Sequence, residues 1–447
     1  MGALARALEA SRQHRGTESV RREARTEVDM SDWAERPPRR GPTVQTLDEL
    51  VAEADRFFRA QLPADWVAAI DRNDVDALAA ARRTVDPDEL WARIAAGGYV
   101  TPTWATEHGG LGVSPKAGAA IARALARYKV PRFNNPVGVD LVGPAILRWG
   151  TDEQKQRYLR PIAAYEEIWC QLFSEPGAGS DLAGLATRAV RDGDTWVIRG
   201  QKVWTSLGDI ASFGILLART EPDVPKHHGI TAFLLPMDLP GVTVRPLRQI
   251  TGDAEFCEVF IDDARIDDSM RLGPVDDGWR VAVSVLMSER QSIAGSGASL
   301  PGTVAGRSVQ ALIQRHAPVI DASLRQRLAQ AYIEDRLVSM TNQRAAARRR
   351  AGQPAGPEAS VTKLFFSEHT QRLQNLALDL EGPAAQAWPE DDRWLKSTVW
   401  AFLRVRSKTI AGGTSEVQRN ILGERVLGLP REPEVDRSVP WSEVRRS

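Results

Sequence analysis

Apolar residues in the first third of the chain recur with the spacing of helices. Between 46 and 62 they follow a period close to 3.6, at Leu47, Leu50, Val51, Phe57 and Phe58. A second helix is predicted to start at 86–91, where acidic residues accompany a proline at the first helical position. Further helices are predicted at 116–129 and from 144, and Thr151 to Gln154 has the composition of a capping box. These patterns predict an all-α domain over 46–168.

After residue 168 the pattern changes to short runs rich in β-branched and aromatic residues. Asp192 and Gly193 separate two of these runs and are typical of a hairpin turn. Prolines and glycines punctuate the others. The runs are 187–190, 195–198, 213–217, 230–235, 242–244 and 255–261. Their spacing predicts a small β-barrel or sandwich over 169–272.

Helical spacing returns after residue 272. The predicted helices are 279–293, 324–350, 360–380, 397–409 and 416–426, with a Pro/Gly linker at 352–356. They predict a four-helix-type bundle over 273–430, so the fold class is α+β. Residues 1–45 are Arg-rich but carry acids and no apolar core of a signal peptide, which predicts a disordered extension. Residues 431–447 are predicted to be a polar tail.

Composition narrows the classes of function. The 447 residues contain 58 basic and 58 acidic side chains, so no overall positive field favours nucleic acid. Two cysteines do not make a disulfide framework and fit a reducing cytoplasm. The histidines lack metal-ligand spacing. No apolar run approaches the roughly 20 residues of a membrane span.

Three stretches carry residue types that bind ligands. The first, at 169–181, contains Gly177 and Gly179, which let backbone N–H groups approach a ligand. The second, at 200–206, places Trp204 and Ser206 at the end of a predicted strand. The third is the glycine-containing stretch 410–420. The first two also have ordinary structural interpretations: a tight turn for the first stretch, and a core tryptophan and a turn serine for the second.

In this order, the three stretches resemble those of the acyl-CoA dehydrogenase family of flavoproteins. The resemblance runs from about residue 50 to about residue 430 and includes the loop at 104–112 and the stretch 150–161. It implies helices, then a β domain, then a helical bundle, with noncovalent FAD, an acyl-CoA substrate and an electron-transferring flavoprotein or similar acceptor. The implied cofactor-binding residues are Gln171, Phe173, Ser174, Gly179, Ser180, Trp204, Ser206, Thr414 and Glu416. Ser180 and Arg290 are implied to bind substrate.

The family's reaction removes an α-proton and a β-hydride from an acyl thioester and leaves a trans-2-enoyl thioester. It needs a base, a hydride acceptor and donors to the carbonyl oxygen. Many members place the base, a glutamate, where this chain has Gly412. A minority place Glu-Arg on the first helix after the β domain, where this chain has Glu289 and Arg290. The resemblance therefore implies Glu289 as the base and the Gly412 N–H as a carbonyl donor.

Helical spacing supports this assignment and leaves an alternative open. Glu289 shares a face with Val285, Leu286 and Ile293, where a carboxylate is partly desolvated. The alternative is a structural ion pair between Glu289 and a nearby arginine.

Two departures from the family pattern concern assembly. Family homotetramers carry an Arg and a Phe-Gly that are not found around 306–318, and 380–385 replaces a Gly-Gly-Asn-Gly-type loop. The combination resembles actinobacterial dehydrogenases that form heteromers, including those acting on sterol side-chain thioesters. It predicts a dimer or a heterotetramer with a related subunit. Two other functions stay open: a non-catalytic partner subunit, and a flavin-dependent oxidase or monooxygenase on the same fold.

Overall fold

The structure is a computed structural model that describes residues 46–130, 135–295, 307–351, 358–387, 397–431, 433 and 436–444. The extension predicted at 1–45 and the linker predicted at 352–356 lie outside these residues. The described residues form an N-terminal group of helices, a central sheet and a C-terminal group of helices. This order confirms the predicted fold class. The residue boundaries of the three predicted domains stay a prediction.

Most of the N-terminal helices pack around a core that includes Phe58, Trp66 and Leu90, whereas the last two contribute Ile146 and Leu159 to a core shared with the sheet. They are α1 (Leu47–Gln61), α2 (Ala64–Asp71), α3 (Val75–Arg83), α4 (Pro87–Ala96), α5 (Pro115–Arg127), α6 (Gly143–Trp149) and α7 (Asp152–Ala164). Asp86 caps α4, and Thr151 and Gln154 form a capping box on α7, as predicted. The short helices α2 and α3 were not predicted, since 8 and 9 residues carry too little periodic pattern.

The strands of the middle region are β1 (Trp169–Leu172), β2 (Arg188–Asp192), β3 (Thr195–Ser206), β4 (Phe213–Arg219), β5 (Ile230–Pro236), β6 (Val242–Leu247), β7 (Phe256–Asp267) and β8 (Arg271–Leu272). These eight strands form one sheet in the order β6-β7-β3-β2-β4-β5-β8, and β1 pairs in parallel with β4. The predicted hairpin is confirmed, since Asp192 pairs with Thr195. Strand β7 continues past its predicted end because Asp262 and Asp263 lie at a bulge rather than at a turn.

Both faces of the sheet are covered. In β4, Ile215 and Leu217 join a core shared with helices on one face, while Leu216 and Ala218 join a core on the other face. This alternation is the period of two expected along a strand. Strand β4 is therefore central in the sheet. Its parallel neighbour β1 forms the start of the glycine-containing stretch at 169–181.

The C-terminal helices are α8 (Gly278–Gly295), α9 (Arg307–His316), α10 (Ala322–Arg350), α11 (Glu358–Glu381), α12 (Thr398–Arg404) and α13 (Ser415–Arg425). Helix α8 packs on the sheet through Val281, Ala282 and Val285. The helix predicted at 397–409 is wrong in its second half, because α12 ends at Arg404 and Val405–Thr409 is a 3-10 turn. Among the described helices, none is long and apolar enough to cross a membrane.

Candidate active site

The first stretch forms a tight turn built on a buried carboxylate. Glu175 and Ala178 exchange backbone hydrogen bonds of 3.0 and 3.1 Å. The carboxylate of Glu175 accepts from the backbone N–H groups of Ala186 at 2.7 Å and Thr187 at 2.9 Å. Both ends of the 175–187 segment are thus held by one side chain.

Lys202 joins the first stretch to the second. Its ammonium is 2.8 Å from Glu175 Oε1 and donates to the backbone oxygen of Phe173 at 3.0 Å. Burial favours the neutral acid, but Lys202 and the backbone donors hold the pKa of Glu175 below its usual value. The backbone N–H of Val203 also donates to Ser174 O at 2.9 Å. Phe173, Ser174 and the end of β3 therefore lie side by side.

A bulge in β3 determines where Trp204 points. Lys202 pairs with Val259 and Thr205 with Cys257, so β3 has one extra residue between these pairs. Regular alternation would place Trp204 inward like Ile198 and Lys202. The bulge, with Trp204 at a φ of 61°, turns the ring outward and leaves it 62% exposed. A left-handed non-glycine residue costs about 1–3 kcal/mol, and such outliers cluster at functional sites.

The glycines of the first stretch border open space. A Cβ added to Gly177 or Gly179 would meet nothing within 4 Å, and neither glycine has a positive φ. Neither backbone conformation nor packing within the chain therefore requires glycine there. Ser180 and Asp181 are exposed beside them. This surface has the shape of a site where a ligand approaches the backbone closely.

The third stretch is a turn that leads into α13. Gly412 and Gly413 have φ of 68° and 89°, and Thr414 caps the helix by accepting from Val417 N at 3.2 Å. Gln418 Nε2 donates to Gly412 O at 2.9 Å. Among the described residues, the buried atoms Ser415 Oγ and Gln418 Oε1 have no hydrogen-bond partner. Unsatisfied buried polar atoms are uncommon and fit a ligand bound nearby.

Lys363 of α11 binds this turn, and its ammonium experiences the charge of Glu289. Lys363 is fully buried and its ammonium donates to Gly413 O. Burial lowers the pKa of Lys363 to about 8, while the charges of Glu289 and Glu416 act in the opposite direction. Glu289 is half-buried on α8, and Glu416 is exposed. The side chain of Arg290 lies outside the described residues, so its predicted role is not tested.

The predicted site residues thus form two groups. One holds Gln171, Phe173, Ser174, Gly179, Ser180, Trp204 and Ser206, and the other holds Glu289, Gly412, Thr414 and Glu416. Helix α12 packs beside the first group: Trp400 donates to the carboxylate of Asp253, and Arg404 binds Glu255. The guanidinium of Arg404 lies 5.1 Å from the ring of Phe256, which packs edge-on against Trp204 with 6.1 Å between ring centroids.

Sequence reasoning missed Lys202 and Lys363. Each lies on the buried face of its strand or helix, and the apolar residues around it in the sequence indicate that face. Lys202 has the same parity in β3 as Trp196 and Ile198, and Lys363 stands within the apolar run from Val361 to Phe366. A lysine at a core position is almost always paired.

Comparison with known proteins identifies the family. Residues 45–166, 170–264 and 276–427 match the family models for the N-terminal, middle and C-terminal domains of acyl-CoA dehydrogenases. The chain belongs to the acyl-CoA dehydrogenase family and is an oxidoreductase of this class. It is 42% identical over 350 residues to the acyl-CoA dehydrogenase IpdE1 of Mycobacterium tuberculosis, a match covering 76% of this chain and 87% of that protein.

Two further comparisons concern a longer relative and solved complexes. The acyl-CoA dehydrogenase FadE34 of Mycobacterium tuberculosis is 38% identical over 361 residues, covering 80% of this chain and 49% of that protein. The Tcur3481-Tcur3483 steroid ACAD superposes with a TM-score of 0.71 at 28% identity over 86% of this chain and 98% of that one. The ChsE4-ChsE5 complex from Mycobacterium tuberculosis gives a TM-score of 0.67 at 27% identity, covering 87% and 100%.

Proposed function

We propose that this chain is an FAD-dependent acyl-CoA dehydrogenase that oxidises the α,β-bond of an acyl-CoA thioester with Glu289 as the base. The observation that carries the proposal is the link between Glu289 and the turn at Gly412 through Lys363. Lys363 binds Gly413 O, and the charge of Glu289 acts on the same ammonium. One buried ammonium thus binds the turn whose N–H groups are suited to a carbonyl oxygen, and the same ammonium experiences the charge of Glu289.

The residues of the first group fit a flavin. The exposed ring of Trp204 offers a flat apolar surface, and Ser206 and the backbone at 173–180 offer polar groups beside it. Open space at Gly179 leaves room for a cofactor to approach the backbone. FAD bound there would supply the acceptor for the β-hydride. The electron-transferring flavoprotein expected from the resemblance is part of the proposal.

Glu289 supplies the base of the proposed reaction, and Gly412 supplies a donor to the thioester oxygen. The carboxylate of Glu289, which is half-buried on α8, removes the α-proton. The backbone N–H of Gly412 donates to the thioester oxygen as negative charge develops there. Lys363 fixes the turn and sets a positive charge beside the base.

The test is to purify the full chain, alone and with a related subunit, and to add acyl-CoA without oxygen. Bleaching of bound flavin together with an enoyl product two hydrogens lighter is the expected result. Bound flavin without bleaching by any acyl-CoA would instead support a partner role. Oxygen consumption with an oxidised product other than an enoyl thioester would support an oxidase or monooxygenase. Absence of flavin from both preparations contradicts the proposal.

A heteromeric assembly is a second part of the proposal. The solved Tcur3481-Tcur3483 and ChsE4-ChsE5 structures are named as pairs of chains, and the former is named a steroid ACAD. Together with the departures at 306–318 and 380–385, they support pairing with a related dehydrogenase subunit and a steroid side-chain thioester as substrate. In this form one subunit carries the base and the other completes the cofactor site.

Light scattering on the chain alone and on the co-expressed pair tests this assembly. We expect a defined heteromer with more bound flavin than the chain holds by itself. A stable homotetramer with one FAD per chain would show that the two departures do not govern assembly. Short straight-chain and steroid side-chain thioesters, compared on the same preparation, then decide the substrate class.

A further inference from the structure

Residues 436–444 of the C-terminal tail pack against the middle domain, and we call this segment the strap. Trp441 N donates to Val224 O at 2.8 Å, and Ser442 N donates to Pro222 O at 2.9 Å. Pro440 forms an isolated antiparallel bridge with Pro225, and Ser442 Oγ donates to Asp223 at 2.8 Å. The strap therefore adds a short extended segment to the turn at 222–228. Its polar composition alone predicts none of these contacts.

Arg219 links that turn to the segment after Ser180. Arg219 is buried at 2% exposure at the end of β4. Its guanidinium donates to the backbone oxygens of Lys226 at 3.0 Å, His228 at 2.8 Å and Ala183 at 2.6 Å. One side chain thus holds the turn at 222–228 and the segment at 181–186 together.

Trp441 of the strap covers this link. The centroid of its ring lies 4.7 Å from the guanidinium carbon of Arg219. Its Nε1 donates to Gly184 O at 3.3 Å, within the segment that Arg219 also binds. A ring over a guanidinium excludes water from it and adds a cation–π attraction. Trp441 therefore strengthens the link at both of its ends.

Lys226 makes a second connection from the strap to the site. Its ammonium lies 3.1 Å from Asp181 Oδ2 and 3.1 Å from Asp436 Oδ2. Asp181 directly follows Ser180, the residue expected to meet the substrate. Trp441 contacts Gly184 directly, and Asp436 reaches Asp181 through Lys226, so two contacts of the strap converge on residues 181–184. Trp441 lies 257 residues after Gly184, and Asp436 lies 210 residues after Lys226.

We propose that the strap sets the position of Ser180 for acyl-CoA binding, and that Trp441 is a positioning residue acting through Arg219. The contribution of Ser180 to substrate binding rests on the proposed function. The contacts that join the strap to residues 181–184 do not depend on that function. The role predicts an effect on substrate affinity and on local mobility, with the chemical step left unchanged.

The test compares Trp441→Ala, Trp441→Phe and Asp436→Asn in the full chain with its bound flavin. The control is Arg437→Ala, an exposed position of the strap. In Trp441→Ala we expect faster amide exchange in 181–186 and 222–229 and unchanged exchange in the rest of the sheet. We expect KM for acyl-CoA to rise about tenfold, which corresponds to about 1.4 kcal/mol, with kcat within about twofold.

Trp441→Phe keeps a ring over Arg219 and should restore most of the affinity, whereas Asp436→Asn should give a smaller rise in KM because Asp181 still binds Lys226. Unchanged exchange in 181–186 in Trp441→Ala overturns the link, whatever the activity. Faster exchange with unchanged KM overturns the role in substrate binding. If the unchanged protein oxidises no acyl-CoA, the proposed function fails, while the exchange measurement still decides the link.

Discussion

Lys202 and Glu175 form an ion pair of 2.8 Å in which the two side chains are 0% and 8% exposed. Removing one partner of a buried pair leaves an uncompensated charge and costs about 3–5 kcal/mol. We therefore expect Lys202→Met to lower the free energy of unfolding by that order, measured by chemical denaturation. Arg199→Met is the control on the same strand, since its pair with Asp263 is exposed and its loss should change stability by about 1 kcal/mol or less.

The same pair supports the turn that carries Gly179, so the combined variant is informative. Lys202→Met with Glu175→Gln removes both charges and should cost less than the sum of the two single changes. Additive effects would show that the two side chains do not act as a pair.

Gly179→Val tests the open space at the first stretch. The added side chain starts where the protein has no atom within 4 Å, so the fold should keep its thermal stability. A flavin approaching the backbone there would collide with it, and we expect about tenfold weaker flavin binding or more. Gly423→Val in α13 is the control, since its Cβ would meet Leu429 at 3.6 Å and lies outside the site. Equal flavin content in both variants would show that the cofactor does not bind against the backbone of Gly179.

Glu289→Gln tests the base. The change keeps the size of the side chain but removes the basic oxygen, so flavin reduction by acyl-CoA should slow by about 10²–10⁴ while bound flavin and substrate affinity persist. Stopped-flow absorbance measures the reduction step directly. Glu424→Gln is the control, because Glu424 is also a partly buried glutamate of a C-terminal helix, 3.5 Å from Arg431. Reduction at the unchanged rate in Glu289→Gln would make Glu289 a structural residue.

Lys363 gives a stability that depends on pH. Its pKa is about 8 in the folded chain against 10.5 for an ordinary lysine, so the unfolded chain binds more protons between these values. The contribution of Lys363 to the unfolding free energy is complete above its pKa in the unfolded chain. It is lost as the pH falls through its pKa in the folded chain. From pH 7.5 to pH 10 the unfolding free energy should rise by about 2 kcal/mol relative to Lys363→Met. Lys116→Met, at an exposed position, should follow the unchanged protein. A difference between wild type and Lys363→Met that stays constant across this pH range would contradict the buried-amine interpretation.

The order of helices, sheet and helices follows from the sequence because hydrophobic period and turn residues are local signals. Asp86 and Thr151 show this, since each caps the helix that its neighbours predict. The orientation of Trp204 is different, because it depends on a bulge that arises only when β3 pairs with β7. Lys202 and Lys363 are buried by partners distant in sequence, so their roles become visible only in the folded chain. Family resemblance supplied the residues of the site, whereas the contacts among them required the structure.

The position of Trp441 in the chain has a consequence for biosynthesis. The ribosome releases strands β1 to β8 long before the residue that covers Arg219, which lies 257 residues beyond Gly184. Trp441 therefore cannot cover the Arg219 guanidinium until the C-terminal helices have been translated. A purification tag fused at the C-terminal end would lie close in sequence to Trp441, so a tag at the other end is the safer choice for kinetic work.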